Sequence, residues 1–136
     1  MAYYSREYLT ATYDDELDAV VMQWHDFAEG EEFRDGLDAG LELVEREGAP
    51  NWLADLRDMG TVTDADQRWS NEDWFPRALG TSLSRMAIIK PESVVANMSV
   101  ESVIQEVDDG SLTTHYFDNR SDAGEWLQDE TASPTA

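Results

Sequence analysis

Cysteine is absent from the 136 residues, which removes disulfides, thiolate metal sites and cysteine nucleophiles. Basic residues are scarce: nine against thirty acidic ones, for a formal net charge of −21, and Lys90 is the single lysine. With no basic stripe to neutralise phosphates, nucleic acids and anionic membranes are disfavoured partners. No apolar run approaches the roughly 20 residues that span a bilayer, and Met1–Glu7 lacks the apolar stretch of a secretory signal. A cytoplasmic protein without membrane insertion is expected. No Gly-x-Ser-x-Gly elbow accompanies either histidine, His25 or His115. The acids Asp64, Asp66, Glu72 and Asp73 lie close together, but the spacing of a calcium loop is missing. No metal, cofactor or catalytic residue is therefore assigned.

What is present is enough to fold. The chain is 41% hydrophobic, with five Trp, five Tyr and four Phe, placed within periodic segments rather than in the pattern of a disordered acidic chain. Its length suits one domain, assigned to 1–128, with 129–136 as a flexible tail. Thirty acids repel one another, a cost that falls when salt shortens the screening length to about 3 Å at 1 M. Together with the near-absence of lysine, this points to a halophilic source.

Segments 7–13 and 18–24 are rich in β-formers around the turn Asp14-Asp15-Glu16-Leu17, predicting a hairpin. Phe33, Leu37, Leu41 and Val44 recur at helical spacing within 29–47, which Gly48 and Pro50 end. Gly36 and Gly40, four apart in that helix, mark a close approach to the sheet or another helix. A strand at 51–56 follows. Thr63 with Asp66 opens a helix as a capping pair, with a break near Asn71 and a restart through Pro76 towards Leu79. The run 84–89 is the most hydrophobic strand. A helix over 92–107, a strand over 112–117 and a short helix capped by Asn119 complete the order β-β-α-β-α-β-α-β-α. Alternation of this kind predicts a single α/β domain: a mainly parallel four- to five-stranded sheet carrying an N-terminal antiparallel hairpin strand.

Several pieces, in order, resemble the STAS superfamily, and more closely its SpoIIAA-like or STAS/SEC14-like branch of small stand-alone proteins. They are Trp52-Leu53-Ala54-Asp55-Leu56-Arg57, Trp74-Phe75-Pro76-Arg77, Arg85-Met86-Ala87-Ile88-Ile89, Thr114-His115-Tyr116-Phe117-Asp118 and Ala123-Gly124-Glu125-Trp126-Leu127. The resemblance covers more than half of the chain. It implies a non-enzymatic protein-interaction or ligand-sensing module, and its SEC14-like side implies a carrier of a small apolar ligand or lipid. Antagonists in the superfamily carry a phosphorylatable serine in the loop before the second helix. Here that loop reads Arg57-Asp58-Met59-Gly60-Thr61-Val62-Thr63, with Thr61 and Thr63 as its only hydroxyls.

Open α/β sheets bind ligands at the carboxyl ends of their strands, which places Trp24, Asp55, Arg57, Asp58, Lys90 and Phe117 around one expected hollow. Asp55 and Arg57, two apart on a strand, share a face; they form either a structural ion pair or a polar-group site in which Arg57 donates a bidentate fork. Trp74, Phe75 and Arg77 at the helix break are either core or a contact surface. The leading expectation is a binding module that uses the loop Arg57–Thr63 and the helix over 63–80, toward an unidentified protein partner or small ligand, with a homodimer as one possibility. A small hydrolase using Asp55, Arg57 and His25 is the alternative from another class, although His25 and Asp26 point to opposite faces as strand neighbours.

Overall fold

The computed structural model describes residues 3–60, 62–94, 97–98, 101 and 112–128. In chain order the elements are β1 (Tyr4–Arg6), β2 (Leu9–Asp14), β3 (Ala19–Trp24), α1 (Glu31–Glu47), β4 (Asn51–Asp55), α2 (Asp64–Trp69), a π-helical segment (Ser70–Trp74), α3 (Phe75–Leu79), β5 (Arg85–Ile89), β6 (Thr113–Phe117) and α4 (Arg120–Gln128). Most of the helix expected over 92–107, the tail 129–136 and Thr61 lie outside the described residues.

The six strands lie in sequence order, β1 to β6, across one mixed sheet. The β1–β2 and β2–β3 pairs are antiparallel, and β3–β4, β4–β5 and β5–β6 are parallel. This is the expected architecture with one strand more than predicted. The addition is β1, a three-residue edge strand whose Tyr4 pairs with Ala11. Three residues containing Arg6 show no period-two pattern, so local sequence gave no sign of it.

The sheet separates two apolar layers. Val20, Met22 and Trp24 on β3 share one face with Trp52 and Ala54 on β4 and with Met86 and Ile88 on β5; this layer packs under α1 and the helical segment 64–79. Val21, Leu53, Ala87 and Ile89 face the other way and meet Ala123 and Leu127 of α4. Parallel strands covered on both faces read as continuous apolar runs, which is why 85–89 stands out in the sequence.

Helix α1 approaches the sheet closely enough to require its glycines. A Cβ on Gly36 would stand 2.6 Å from Leu9 Cδ2, and one on Gly40 would stand 2.5 Å from Trp52 Cη2 and 2.7 Å from Met22 Sδ. The close approach read from the spacing is thus between helix and sheet. Gly48, at φ 64°, ends α1 in the left-handed conformation, and its N–H donates to Val44 O.

Thr63 caps α2 by accepting from Asp66 N at 3.2 Å, and Asn119 Oδ1 accepts from Asp122 N at 2.8 Å at the start of α4. Where a break was expected at Asn71, the helix instead continues through a π turn, with Phe75 N–H donating to Ser70 O. Proline lacks the N–H of an α-helical bond, and a widened turn admits Pro76 at the start of α3 without ending the helix. Arg85 Nη1 and Nη2 donate to Trp126 O and Leu127 O at 3.0 and 2.8 Å, placing a guanidinium at the C-terminal end of α4.

The first hairpin carries a pH-dependent contact. Tyr13 OH donates to Asp18 Oδ1 at 2.5 Å. This bond, with some burial and the charge of Asp18, pushes the phenol up to about 12. A raised folded-state value stabilises the fold below the unfolded phenol value near 10, and that contribution is lost as pH rises toward 12. Thermal midpoints measured from pH 9 to 12 should therefore fall less steeply in Tyr13→Phe than in the parent; parallel curves would contradict this assignment.

Candidate functional site

Alternation along the strands divides the expected rim. Gln23, Asp55, Ile89 and Phe117 form one register row on the α4 side of the sheet, whereas Trp24 points to the α1 side. Trp24 thus does not share a hollow with Asp55 and Phe117. One-residue steps along a strand reverse the face, so a list of strand ends mixes the two layers.

On the α4 side the polar groups are paired. Asp55, 2% exposed, accepts from Arg57 Nε at 3.0 Å and from Arg57 Nη2 at 2.7 Å. Burial alone would raise its carboxyl. The side-chain and backbone hydrogen bonds from Arg57, with the charges of Arg57 and Arg120, outweigh burial and hold it below the ordinary carboxylate range. The fork of Arg57 is occupied by its own strand neighbour, which favours the structural ion pair over the polar-group site. Asp58 is exposed and adds only its charge beside Arg57. Lys90 Nζ lies 2.9 Å from Asp118 Oδ1. Phe117 packs against Trp126, with ring centroids 5.6 Å apart. His25 Nε2 meets Thr10 Oγ1 at 2.8 Å.

The α1 side holds a different feature. An apolar cavity of about 80 Å3 lies between the sheet and the helices. Its floor is Trp24, Trp52, Ala54, Met86 and Ile88; its roof is Phe33 and Leu37 of α1 with Ser70, Trp74 and Phe75 of the helical segment 64–79. Leu56, Met59 and Val62 close the end beneath the loop after β4. Ala54 lies between Met22 and Ile88 in its register row, and its small side chain among larger ones leaves the space.

Rings set the shape of the space. Trp24 stacks on Phe33 at 5.6 Å and 27°. Trp74 meets Trp52 edge-on at 5.1 Å and Phe75 at 4.9 Å, arrangements favoured by the aromatic quadrupole. Polar groups at the wall are already engaged: Trp74 Nε1 donates to Leu37 O at 3.0 Å, and Ser70 Oγ donates to Asp66 O at 2.8 Å. Trp74 and Phe75, 1% and 5% exposed, are core rather than a surface anchor. Of that trio only Arg77 is at the surface, with Nη2 2.7 Å from Asp38 Oδ1, tying α3 to α1.

Loops after β3 and β4 meet above the cavity. A Cβ on Gly60 would lie 3.1 Å from Phe27 Cδ1, so the two loops are in contact there. The buried Asp66 carboxylate accepts from Gly30 N at 2.9 Å and from Arg34 Nε at 3.2 Å, joining the start of α1 to α2. Thr63 is occupied as the cap of α2. Phe33 and Leu37 were read in the sequence only as the period of α1, Met86 only as part of a strand and Met59 only as part of a loop, so none of these four wall residues was expected at the site. The one local signal is the small Ala54 between Trp52 and Leu56 on the same face.

Among the described residues there is no group of three or more His, Asp or Glu placed to hold a metal, and no helix long and apolar enough to cross a membrane. No curated protein matches the chain. A crystal structure of an uncharacterised DUF3478-family protein from Shewanella loihica, with a SpoIIAA-like fold, is similar at a TM-score of 0.57 and 14% identity, covering 88% of this chain and 91% of that one. At that identity the likeness speaks for the fold alone. The SpoIIAA-like family model matches residues 19–128, from β3 through α4. The chain belongs to the SpoIIAA-like family.

Proposed function

We propose that the protein is a non-enzymatic STAS-like sensing module that takes a small apolar molecule between its sheet and helices. Occupancy is passed to a protein partner through the loop over 56–62 and the helical segment above it. The observation that carries this is the ring-lined cavity bordered by Leu56, Met59 and Val62, whose neighbouring polar groups are turned to backbone acceptors. Ligand sites are mostly apolar hollows with few polar groups, and a dry apolar space binds apolar molecules without a polar hook. Its volume selects a small molecule, or one end of a longer chain, over a bulky ligand. An acidic exterior suits cytoplasm rich in salt, and we assign the protein to a halophilic cell.

Three wall residues are tryptophans, so intrinsic fluorescence reports occupancy directly. Titration with 1-hexanol in 2 M KCl should give a saturable change in emission. Ala54→Leu, which places three more carbons in the space, should weaken the apparent affinity at least tenfold while keeping the thermal midpoint. A linear, unsaturable response, or equal affinity in both proteins, would defeat the proposal.

A further inference from the structure

One residue in the wall of the apolar cavity keeps unused hydrogen-bonding capacity. Among the residues that line the space, Ser70 has the only side chain carrying oxygen, and it is 2% exposed. Its hydroxyl donates to Asp66 O at 2.8 Å. A hydroxyl has one hydrogen and two lone pairs, so that bond uses the hydrogen and leaves the oxygen able to accept. Among the described residues no N–H or O–H donates to Ser70 Oγ.

The helix does not need this hydroxyl. Asp66 O already accepts from Ser70 N–H. A serine bonded back to the carbonyl four residues earlier slightly weakens and bends a helix rather than supporting it. Alanine, the better helix former, would complete a wall that is otherwise hydrocarbon, indole and thioether. Ser70 also begins the π turn, where its own carbonyl accepts from Phe75 N–H, and such turns within α-helices are frequent at functional sites.

We infer that Ser70 Oγ accepts a hydrogen bond from the ligand, which is a neutral alcohol: one O–H on a small apolar body. This rests on the cavity reading above and adds to it the polar contact that selects among apolar molecules. Donation to Asp66 O holds the hydroxyl in one orientation, so the acceptor is set before the ligand arrives. The rest of the wall excludes charged donors and acceptors. An ammonium would meet no carboxylate there, since that of Asp66 already accepts from Gly30 N–H and Arg34 Nε. An ionised acid would meet no cation among the lining residues. Burying either charge unpaired costs far more than burying a hydroxyl that is hydrogen-bonded.

1-Hexanol and its isomer methyl pentyl ether contain the same atoms and differ in the O–H. Tryptophan emission of the parent in 2 M KCl should report saturable binding of both. Ser70→Ala and Ser70→Cys should each weaken hexanol binding about five- to tenfold, the size of one net hydrogen bond, and leave ether binding within about twofold. Cysteine keeps the volume with only a weak acceptor, so the two variants separate loss of the bond from added room. Circular dichroism and thermal midpoints should match the parent's. Equal losses for the two ligands, or no loss for hexanol, would overturn the hydroxyl assignment and leave the cavity standing. A parent that gives no saturable response to either molecule would remove the cavity reading and this inference with it.

Discussion

Raising KCl from 0.1 M to 2 M is expected to increase the thermal midpoint by about 15 °C or more, and the protein should be largely unfolded in dilute buffer. The chain carries 21 uncompensated negative charges. Spread over a folded sphere of roughly 18 Å radius, they repel far more than over the several-fold larger unfolded volume. Reducing the screening length from about 10 Å to about 3 Å or less returns on the order of 5 kcal/mol to the folded state, comparable with the whole stability of an ordinary domain. For a chain of this length each kcal/mol moves the midpoint by about 3–5 °C. The ion pairs act in the opposite direction and weaken with salt, but the surface pairs Arg77–Asp38 and Lys90–Asp118 are exposed and contribute little. A midpoint that stays flat or falls between those concentrations would mean that the acidity has another role.

The second large effect belongs to Trp74. Truncation to alanine should lower stability by about 3–5 kcal/mol, because the ring is 1% exposed, packs edge-on to Trp52 and Phe75, and donates to Leu37 O. It also anchors the π turn against α1. Denaturant unfolding in 2 M KCl should show the midpoint concentration falling sharply in Trp74→Ala. An unchanged midpoint with lost partner binding would instead place the ring at the surface, as one reading of the sequence allowed.

Much of the architecture was legible because local and tertiary signals agree. The hairpin turn, the α1 period, Thr63 and Asn119 as caps, and the Gly36–Gly40 spacing each have a local physical reason that the fold keeps. The site was less legible because it depends on depth. Asp55 and Leu56 are neighbours in sequence, yet one joins an ion pair under α4 and the other closes the cavity under α1. Trp74-Phe75-Pro76 resembles a helix break, and the π turn turns both rings inward. No sequence window records that Ala54 and Trp74 line one space.

Native mass spectrometry of protein purified without detergent, in concentrated ammonium acetate, tests the apolar hollow most directly. The parent should carry an added apolar mass, or take up 1-hexanol at one molecule per chain, and Ala54→Leu should do neither. Bare chains in both proteins, with no uptake by either, would contradict the account.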